Sequence, residues 1–425
     1  MAQLILFPRG MTAAFRRLIQ MKNILIIGGG FAGVWTAAAA VRAARAHGVP
    51  QSQLKVTVVS SGDDLVIRPR LHEADPQVMR VALDRVLGPI GVRRIAATVT
   101  GIDTSTRTVN ALVRSGRNMV LGYDRLVLAA GSQLVRPAIS GSEWIFDVDT
   151  LDAAAALDHH VQRLPQRPAM AGRFTAVVIG AGFTGLEMAT ELVTRLRELA
   201  GDADDARVVL VEHADVLGPE LGGNPHPHIS SVLSDLGVEM RLGKAVELVT
   251  DSEVELSDGE LIPSSTVIWT AGMAASPLTQ CIPSERDRSG RLRVDEFLRV
   301  LGVPEVFATG DTAAAVADGG NTVIQSCRHA IPMGKLAGHN VAADILGLDL
   351  APFAFNSYVT CLDLGPVDAA ATRSRDRIVE KTGRQGKALR CRIKAEGIRP
   401  PADDADAILK LADYQGCWSM EEFHS

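Results

Sequence analysis

Six glycines fall into two sets with one spacing. Gly28, Gly30 and Gly33 stand in IIGGGFAG, and Gly180, Gly182 and Gly185 in VIGAGFTG, both as G-x-G-x-x-G. In such a set the first glycine allows a tight turn, the second lets backbone approach a pyrophosphate, and the third lets a helix pack closely on a strand. The helix that follows opens with unpaired N–H groups and a partial positive charge, which suits a phosphate. The chemistry is nucleotide binding, twice on one chain, with Phe31 and Ala32 in the first turn and Phe183 and Thr184 in the second.

These turns need strands before them and helices after them. Ile24 to Ile27 is a short apolar run, as in a strand buried on both faces, and an Ala-rich stretch that reads as a buried helix follows Gly33. The pattern repeats from Phe174 to Leu196, and each helix leads to a second strand, Lys55 to Val59 or Arg207 to Val211. Gly33 stands 27 positions before Ser60, and Gly185 stands 27 before Glu212. Two βαβ units with equal internal spacing predict an α/β fold with two Rossmann-like dinucleotide-binding domains. Two further strands end in small residues, LVLAAG at Ala130 and Gly131 and TVIWTAG at Gly272, which lets a ligand lie across the end of the sheet. VPEVFATGD, closing on Gly310 and Asp311, reads as a strand returning to the first domain.

The first domain is therefore expected to be discontinuous, over 21–150 and 281–347, with the second inserted as 151–280. Residues 1–20 are an N-terminal extension and 348–425 a small C-terminal α+β region. Within this frame, residues 80–120 read as short strands and turns and LDAAAALDHHVQRL as a helix. A helix in 322–347 is expected to start near Pro332, since proline suits a first turn. The C-terminal region mixes strand-like YVTCLDLG with a short acidic helix, Asp403 to Leu411.

Two dinucleotide sites on one chain imply a relay between a bound flavin, FAD, and a diffusing nicotinamide, with hydride passing between them. Asp311 after Gly310 suits a ribityl hydroxyl, and the helix after it would add positive charge at the flavin. Glu212 ends the second strand of the second unit, where a carboxylate takes a ribose 2′-hydroxyl. Repulsion of a 2′-phosphate there, after solvent screening, is about 1–2 kcal/mol, or roughly tenfold in affinity, so NADH is expected over NADPH. A protonated His213 would soften that preference. In the first unit Ser60 and Ser61 stand where the acidic residue usually is, with Asp63 and Asp64 near enough to substitute. RPRLHE at 68–73 reads equally as a solvated loop or as one that covers a cofactor.

Composition bounds the function. At 425 residues the chain fits two or three domains, and 47% apolar with 22% charged residues is an ordinary globular balance. A net charge of −5 gives no basic patch for nucleic acid. No apolar run approaches the ~18 residues of a membrane span. The opening MAQLILFPRGMTAAFRRLIQ has its apolar stretch before its basic residues, the wrong order for a signal peptide. Five cysteines, none before Cys281 and none as C-x-x-C, suit a reduced cytosol and exclude a zinc ribbon; no metal site is expected. Residues 31–46 hold no cysteine, so electrons must leave from the flavin directly or through Cys327 or Cys361.

Taken together, IIGGGFAG, RPRLHE, LVLAAG, VIGAGFTGLEMATEL, VFATGD and IQSCRHAIPMGKLAGHN resemble the two-dinucleotide-domain flavoproteins, and among them the type II NADH dehydrogenases, over roughly residues 21–347. The resemblance implies an FAD-dependent NADH:quinone oxidoreductase. It implies that Gly28, Gly30 and Gly33 hold the FAD pyrophosphate and Asp311 its ribityl chain. Gly180, Gly182, Gly185 and Glu212 would hold NADH, and Glu187 would stand near the nicotinamide–flavin contact. The family's A-Q-x-A-x-Q pattern at the quinone reads here Ile324-Gln325-Ser326-Cys327-Arg328-His329, with the first glutamine kept and the second replaced by histidine. Gln325 and His329 would then line the acceptor pocket, His329 either giving a proton to a reduced quinone or bonded to backbone at a helix start. The acidic last helix and short tail favour a cytoplasmic protein with at most peripheral contact at the inner face of a membrane. A small-molecule, quinone-like acceptor is the expected partner, no nucleic acid is, and a homodimer stays open. The alternative is a soluble flavoprotein serving a dedicated metabolic substrate or a small redox-protein acceptor.

Overall fold

A computed structural model describes residues 21–201, 205–317, 320–355 and 358–416. The expected N-terminal extension 1–20 and the tail with Cys417 lie outside these residues. In chain order the elements that position the site begin with Lys22–Ile27 (β1), Phe31–Ala46 (α1), Leu54–Ser60 (β2), Arg93–Asp103 (β3), Thr108–Val113 (β4), Asn118–Gly122 (β5) and Arg125–Leu128 (β6). Ile145–Phe146 (β7), Leu151–Gln162 (α2), Thr175–Ile179 (β8), Phe183–Ala200 (α3), Arg207–Glu212 (β9), His226–Leu236 (α4), Val238–Leu242 (β10) and Thr266–Trp269 (β11) follow. The chain then runs through Val306–Ala308 (β12), Cys327–Leu346 (α5), Val359–Asp363 (β13), Ala369–Arg373 (β14), Ile378–Lys381 (β15), Gly383–Arg392 (α6) and Ala405–Leu411 (α7).

The first sheet has seven strands in the order β12-β6-β1-β2-β3-β4-β5, and the second has five, β7-β11-β8-β9-β10. The second is parallel throughout. The first is parallel from β12 to β3 and antiparallel in the β3–β5 flap, which is the run of short strands expected within 80–120. β12 pairs with β6 at Val306 and Leu126, across the whole of the second sheet in sequence. The first Rossmann-like unit is therefore discontinuous and the second is inserted in it. β7, from before residue 151, pairs with β11, so the second sheet also draws on chain upstream of its expected start.

β1 and β8 are apolar and buried where the sheets are covered on both faces, as parallel strands require. Nearly all of α1 is buried, because it lies between the first sheet and α5. Glycines allow that contact. A Cβ on Gly334 would come 2.5 Å from the Ala32 carbonyl oxygen, and one on Gly338 would come 2.2 Å from that of Thr36. α5 begins at Cys327 with Ser326 at its N-cap, not near Pro332, which lies inside the helix. The proline cannot donate to the Arg328 carbonyl, a loss the helix absorbs within its second turn.

Candidate functional site

The two glycine turns are built alike. β1 ends beside Gly28, whose φ is +116° and whose Cβ would meet the Ala129 carbonyl oxygen at 2.1 Å. A Cβ on Gly33 would meet the Gly28 carbonyl at 2.0 Å. Gly180 (φ +101°) and Gly185, the latter 1.8 Å from the Gly180 carbonyl by the same measure, repeat this after β8. Gly30 and Gly182 are the N-caps of α1 and α3, and no side chain caps either helix by hydrogen bonding, so the first-turn amides stay available to an anion. The turns differ in front. A Cβ on Gly30 meets nothing within 4 Å, whereas one on Gly182 would meet Glu220 Oε1 at 2.5 Å. Both cradles fit a dinucleotide pyrophosphate, and the second already faces a carboxylate of the chain.

They differ behind as well. Glu212 is 5% exposed. Its carboxylate accepts from the Ala181 amide at 2.7 Å and the Ala214 amide at 3.0 Å, with His213 Nδ1 2.7 Å away. In the first unit Ser60 Oγ stands 2.6 Å from where a Cβ on Gly29 would be. Asp63 and Asp64, the expected substitutes, are engaged elsewhere: Asp63 with Arg94 and Arg114, Asp64 with Arg80.

Where the first sheet ends, Gly310 (φ +65°) presses on α1, its absent Cβ 2.7 Å from that of Ala32. Asp311 Oδ2 accepts from Ser132 Oγ at 2.6 Å, and the Ser132 carbonyl and hydroxyl oxygens each accept from Arg68 Nη1 at 3.1 Å. Burial pushes the Asp311 carboxyl above its ordinary value, with Ser132 and Arg68 pulling the other way. Gln325 Nε2 donates to the Asp311 carbonyl at 3.3 Å. Gly131 and Gly272, both at positive φ, are followed by Ser132–Leu134 and Met273–Ala275, which pair antiparallel and join the ends of the two sheets.

Glu187 is buried. Its Oε1 accepts from Arg390 Nη2 at 2.7 Å and from the Asp363 amide at 3.1 Å, and Oε2 stands 3.6 Å from His72 Nδ1. Burial lowers the pKa of Arg390, but Glu187 outweighs it, with Cys361 and Asp363, and the net shift is upward. His72, 4% exposed, is pushed down by burial. RPRLHE is thus neither a solvated loop nor a simple cover: it links Asp311, through Arg68, to Glu187, through His72. Arg390 and Asp363 carry no motif, so sequence reasoning passed over them, and His72 was noticed only as part of RPRLHE, with no role of its own. Burial pushes the Cys327 and Cys361 thiols up to about 11 and about 12, leaving both protonated.

His329 is 2% exposed. Its Nδ1 lies 3.0 Å from Ser326 Oγ, and its ring centroid is 4.7 Å from that of Phe355 and 5.4 Å from that of Tyr358. Burial, with Arg328, Arg375 and Arg377, pushes its pKa down to about 3. The imidazole is therefore neutral near pH 7, with the Ser326 hydroxyl at its Nδ1 at the helix start. The structure brings Gln325, Asp311 and Ser132 together and ties Glu187 separately to the C-terminal region. Among the described residues no group of His, Cys, Asp and Glu could hold a metal, and no helix is long and apolar enough to cross a membrane.

Over 395 residues, 92% of this chain and 98% of the other, the sequence is 43% identical to an NADH dehydrogenase-like protein of Mycobacterium tuberculosis. It is 26% identical over 355 residues to the demethylphylloquinone reductase of Synechocystis, covering 81% of this chain and 84% of that protein. NDH2 of Plasmodium falciparum in complex with NADH shares the fold, with a TM-score of 0.74 at 14% identity over 89% of this chain and 99% of that one. Residues 22–334 match the pyridine nucleotide-disulphide oxidoreductase family, and the chain belongs to it: this is a pyridine-nucleotide-dependent flavoprotein oxidoreductase built on two dinucleotide-binding units.

Proposed function

We propose that the chain takes hydride from NADH onto FAD and hands the electrons to a quinone-like acceptor. The observation that carries this reading is the pair of uncapped helix starts, at Gly30 and Gly182, each following a parallel strand of its own sheet, with the ends of the two sheets joined by one short ladder. In it, Gly28, Gly30, Phe31, Ala32 and Gly33 hold the FAD pyrophosphate, while Ala130, Gly131, Gly310 and Asp311 receive the rest of the flavin. Gly180, Gly182, Phe183, Thr184 and Gly185 hold NADH, Glu212 takes its ribose hydroxyl, and Gly272 leaves room at the sheet end. FAD supplies a two-electron centre that accepts hydride and releases electrons. Asp311, held by Ser132 and Arg68, accepts a ribityl hydroxyl. Arg390 holds the Glu187 side chain in place beside the contact between the two cofactors. Gln325 lines the acceptor side, and neutral His329 offers one ring nitrogen as a hydrogen-bond partner rather than a stored proton. The domain limits 21–150 with 281–347, 151–280 and 348–425 belong to this proposal, as do a cytoplasmic location and at most peripheral contact with the membrane.

A second reading keeps the NADH and FAD roles and replaces the quinone with a dedicated metabolic substrate or a small redox protein. It is favoured by one observation: the position of the family's second glutamine is a histidine closed in by Phe355 and Tyr358. One anaerobic experiment tests both. NADH is expected to bleach the yellow protein, and a short-chain quinone is expected to restore the colour. Bleaching without reoxidation by quinone leaves the second reading, and absence of bleaching removes both.

A further inference from the structure

Arg377 is a buried cation that the roles above leave unused. It is 4% exposed. Its guanidinium donates to Tyr358 Oη at 2.7 Å, Thr360 Oγ1 at 3.0 Å and the Glu220 main-chain carbonyl at 3.2 Å. All three acceptors are uncharged, and among the described residues no carboxylate bonds or ion-pairs with it. Arg390, equally buried, has Glu187 at 2.7 Å. The contrast shows in protonation: burial pushes Arg377 below the usual arginine value, whereas for Arg390 the neighbouring carboxylate prevails. Buried charges are otherwise paired, because an uncompensated one is costly. Arg377 is also held in left-handed backbone (φ 54°), in a hairpin turn where Ser374 is likewise (φ 62°); such strain persists where surroundings enforce it.

The cation stands beside the second cradle. Its Cζ lies 5.4 Å from the ring centroid of Phe183, the residue after Gly182, and both line one small cavity with Leu221 and Thr360. The loop it grips, Gly218 to Gly222, passes over the glycine turn: a Cβ on Gly218 would come 2.5 Å from the Ala181 carbonyl. That loop carries Glu220, whose carboxylate occupies the front of Gly182. The first cradle has no such carboxylate at Gly30.

We propose that Arg377 and Glu220 set the affinity for the nicotinamide nucleotide in opposite senses: Arg377, from the C-terminal region, is the counter-cation of the nucleotide's phosphates, and Glu220 is a place-holder those phosphates displace. The inference rests on the reading of the second cradle as the NADH site.

The test is calorimetric binding to the full-length, flavin-loaded protein of ADP-ribose, which carries the pyrophosphate, and of adenosine, which does not. Arg377→Gln is expected to weaken ADP-ribose about tenfold, as loss of a charge-assisted contact does, with Arg377→Lys recovering part of it. Glu220→Gln is expected to tighten ADP-ribose about three- to fivefold, the scale of an anion at a helix start. Adenosine affinity and FAD content should stay unchanged. Equal shifts for adenosine and ADP-ribose, or no tightening in Glu220→Gln, overturn the proposal. Glu220 is exposed, so its variant decides the matter even where Arg377 variants fail to fold. Wild-type protein that binds neither NAD+ nor ADP-ribose overturns instead the reading of the cradle itself.

Discussion

The two glycine turns superimpose in design but not in setting. Behind the first is Ser60 and in front of it open space; behind the second is buried Glu212, bonded to the turn's own Ala181 amide, and in front of it Glu220. Their helices are also fixed by different means. α1 is locked against α5 by close backbone approach at Gly334 and Gly338, with Lys335 Nζ over the Trp35 ring beside it. α3 is tied to the C-terminal region through side chains, Glu187 to Arg390 and to the Asp363 amide, and Phe183 to Arg377. The difference fits a division of labour between a cradle whose occupant stays and one whose occupant leaves in every cycle. A resident cofactor needs a rigid wall. A visiting one needs an anion to stand in between visits and a carboxylate that braces the turn when it is empty.

The largest effect should come from closing each cradle by one methyl group. Gly33→Ala puts a Cβ about 2.0 Å from the Gly28 carbonyl, and Gly185→Ala puts one about 1.8 Å from that of Gly180. Neither backbone can yield without moving its helix start. Gly33→Ala is expected to purify colourless and to stay so after incubation with excess FAD. Gly185→Ala is expected to purify yellow and to lose NADH bleaching by roughly a hundredfold or more, the scale of a misplaced binding group. Absorbance spectra and stopped-flow bleaching separate the two. If both variants lose flavin, the division between resident and visiting sites fails.

The ion pair on α3 comes next. Glu187→Gln leaves Arg390 buried with its nearest anion gone, which costs about 3–5 kcal/mol. Denaturant unfolding should read that loss. A change below about 1 kcal/mol would mean that Asp363, whose carboxylate lies 3.8 Å from Arg390 Nε, carries the charge alone.

Acid should act on the same side of the molecule. The folded pKa of His329, about 3, lies below its ordinary 6.5. The unfolded chain therefore takes up the proton first, so stability is full above about pH 6.5 and falls as pH drops toward about 3. Between about pH 6.5 and 5 this residue alone should remove about 2 kcal/mol. His329→Gln, which restores the glutamine of the related pattern, should flatten that slope while leaving stability near pH 8 within about 1.5 kcal/mol. Unfolding at several pH values measures it, and an unchanged slope would assign the acid sensitivity to His72, His160 and His339, which burial also pushes down.

What could be read from the chain alone followed the range of the interactions. The glycine turns, their strands and the 27-residue step to Ser60 and Glu212 are local, so spacing reveals them. The discontinuous first unit was legible because VPEVFATGD carries a strand and a turn in nine residues. The start of α5 was misplaced because Pro332 suits a first turn, whereas Ser326 caps the helix without a side-chain hydrogen bond to mark it. Arg390, 203 positions from Glu187, and Arg377, 157 from Glu220, were out of reach. α6, GRQGKALRCR, offers neither an apolar stripe nor a motif, and the hairpin bearing Arg377 reads as a charged loop. Burial of His329 was likewise invisible, since it depends on Phe355 and Tyr358 closing over it.

The smallest effect concerns Glu212, and it probes the difference behind the two turns. The carboxylate accepts the Ala181 and Ala214 amides, and in the proposed reading it also repels a 2′-phosphate. Glu212→Gln separates the two. The amide oxygen still accepts from one of the two backbone donors, so the turn keeps most of its bracing, while the charge is gone. The preference for NADH over NADPH in flavin bleaching should fall about tenfold, with NADH itself slowed little. His213 Nδ1, 2.7 Å from the Glu212 carboxylate, stands on the solvent side of it and is left in place by this substitution. An unaltered preference would mean that discrimination lies elsewhere on the cradle, and that Glu212 serves the turn alone.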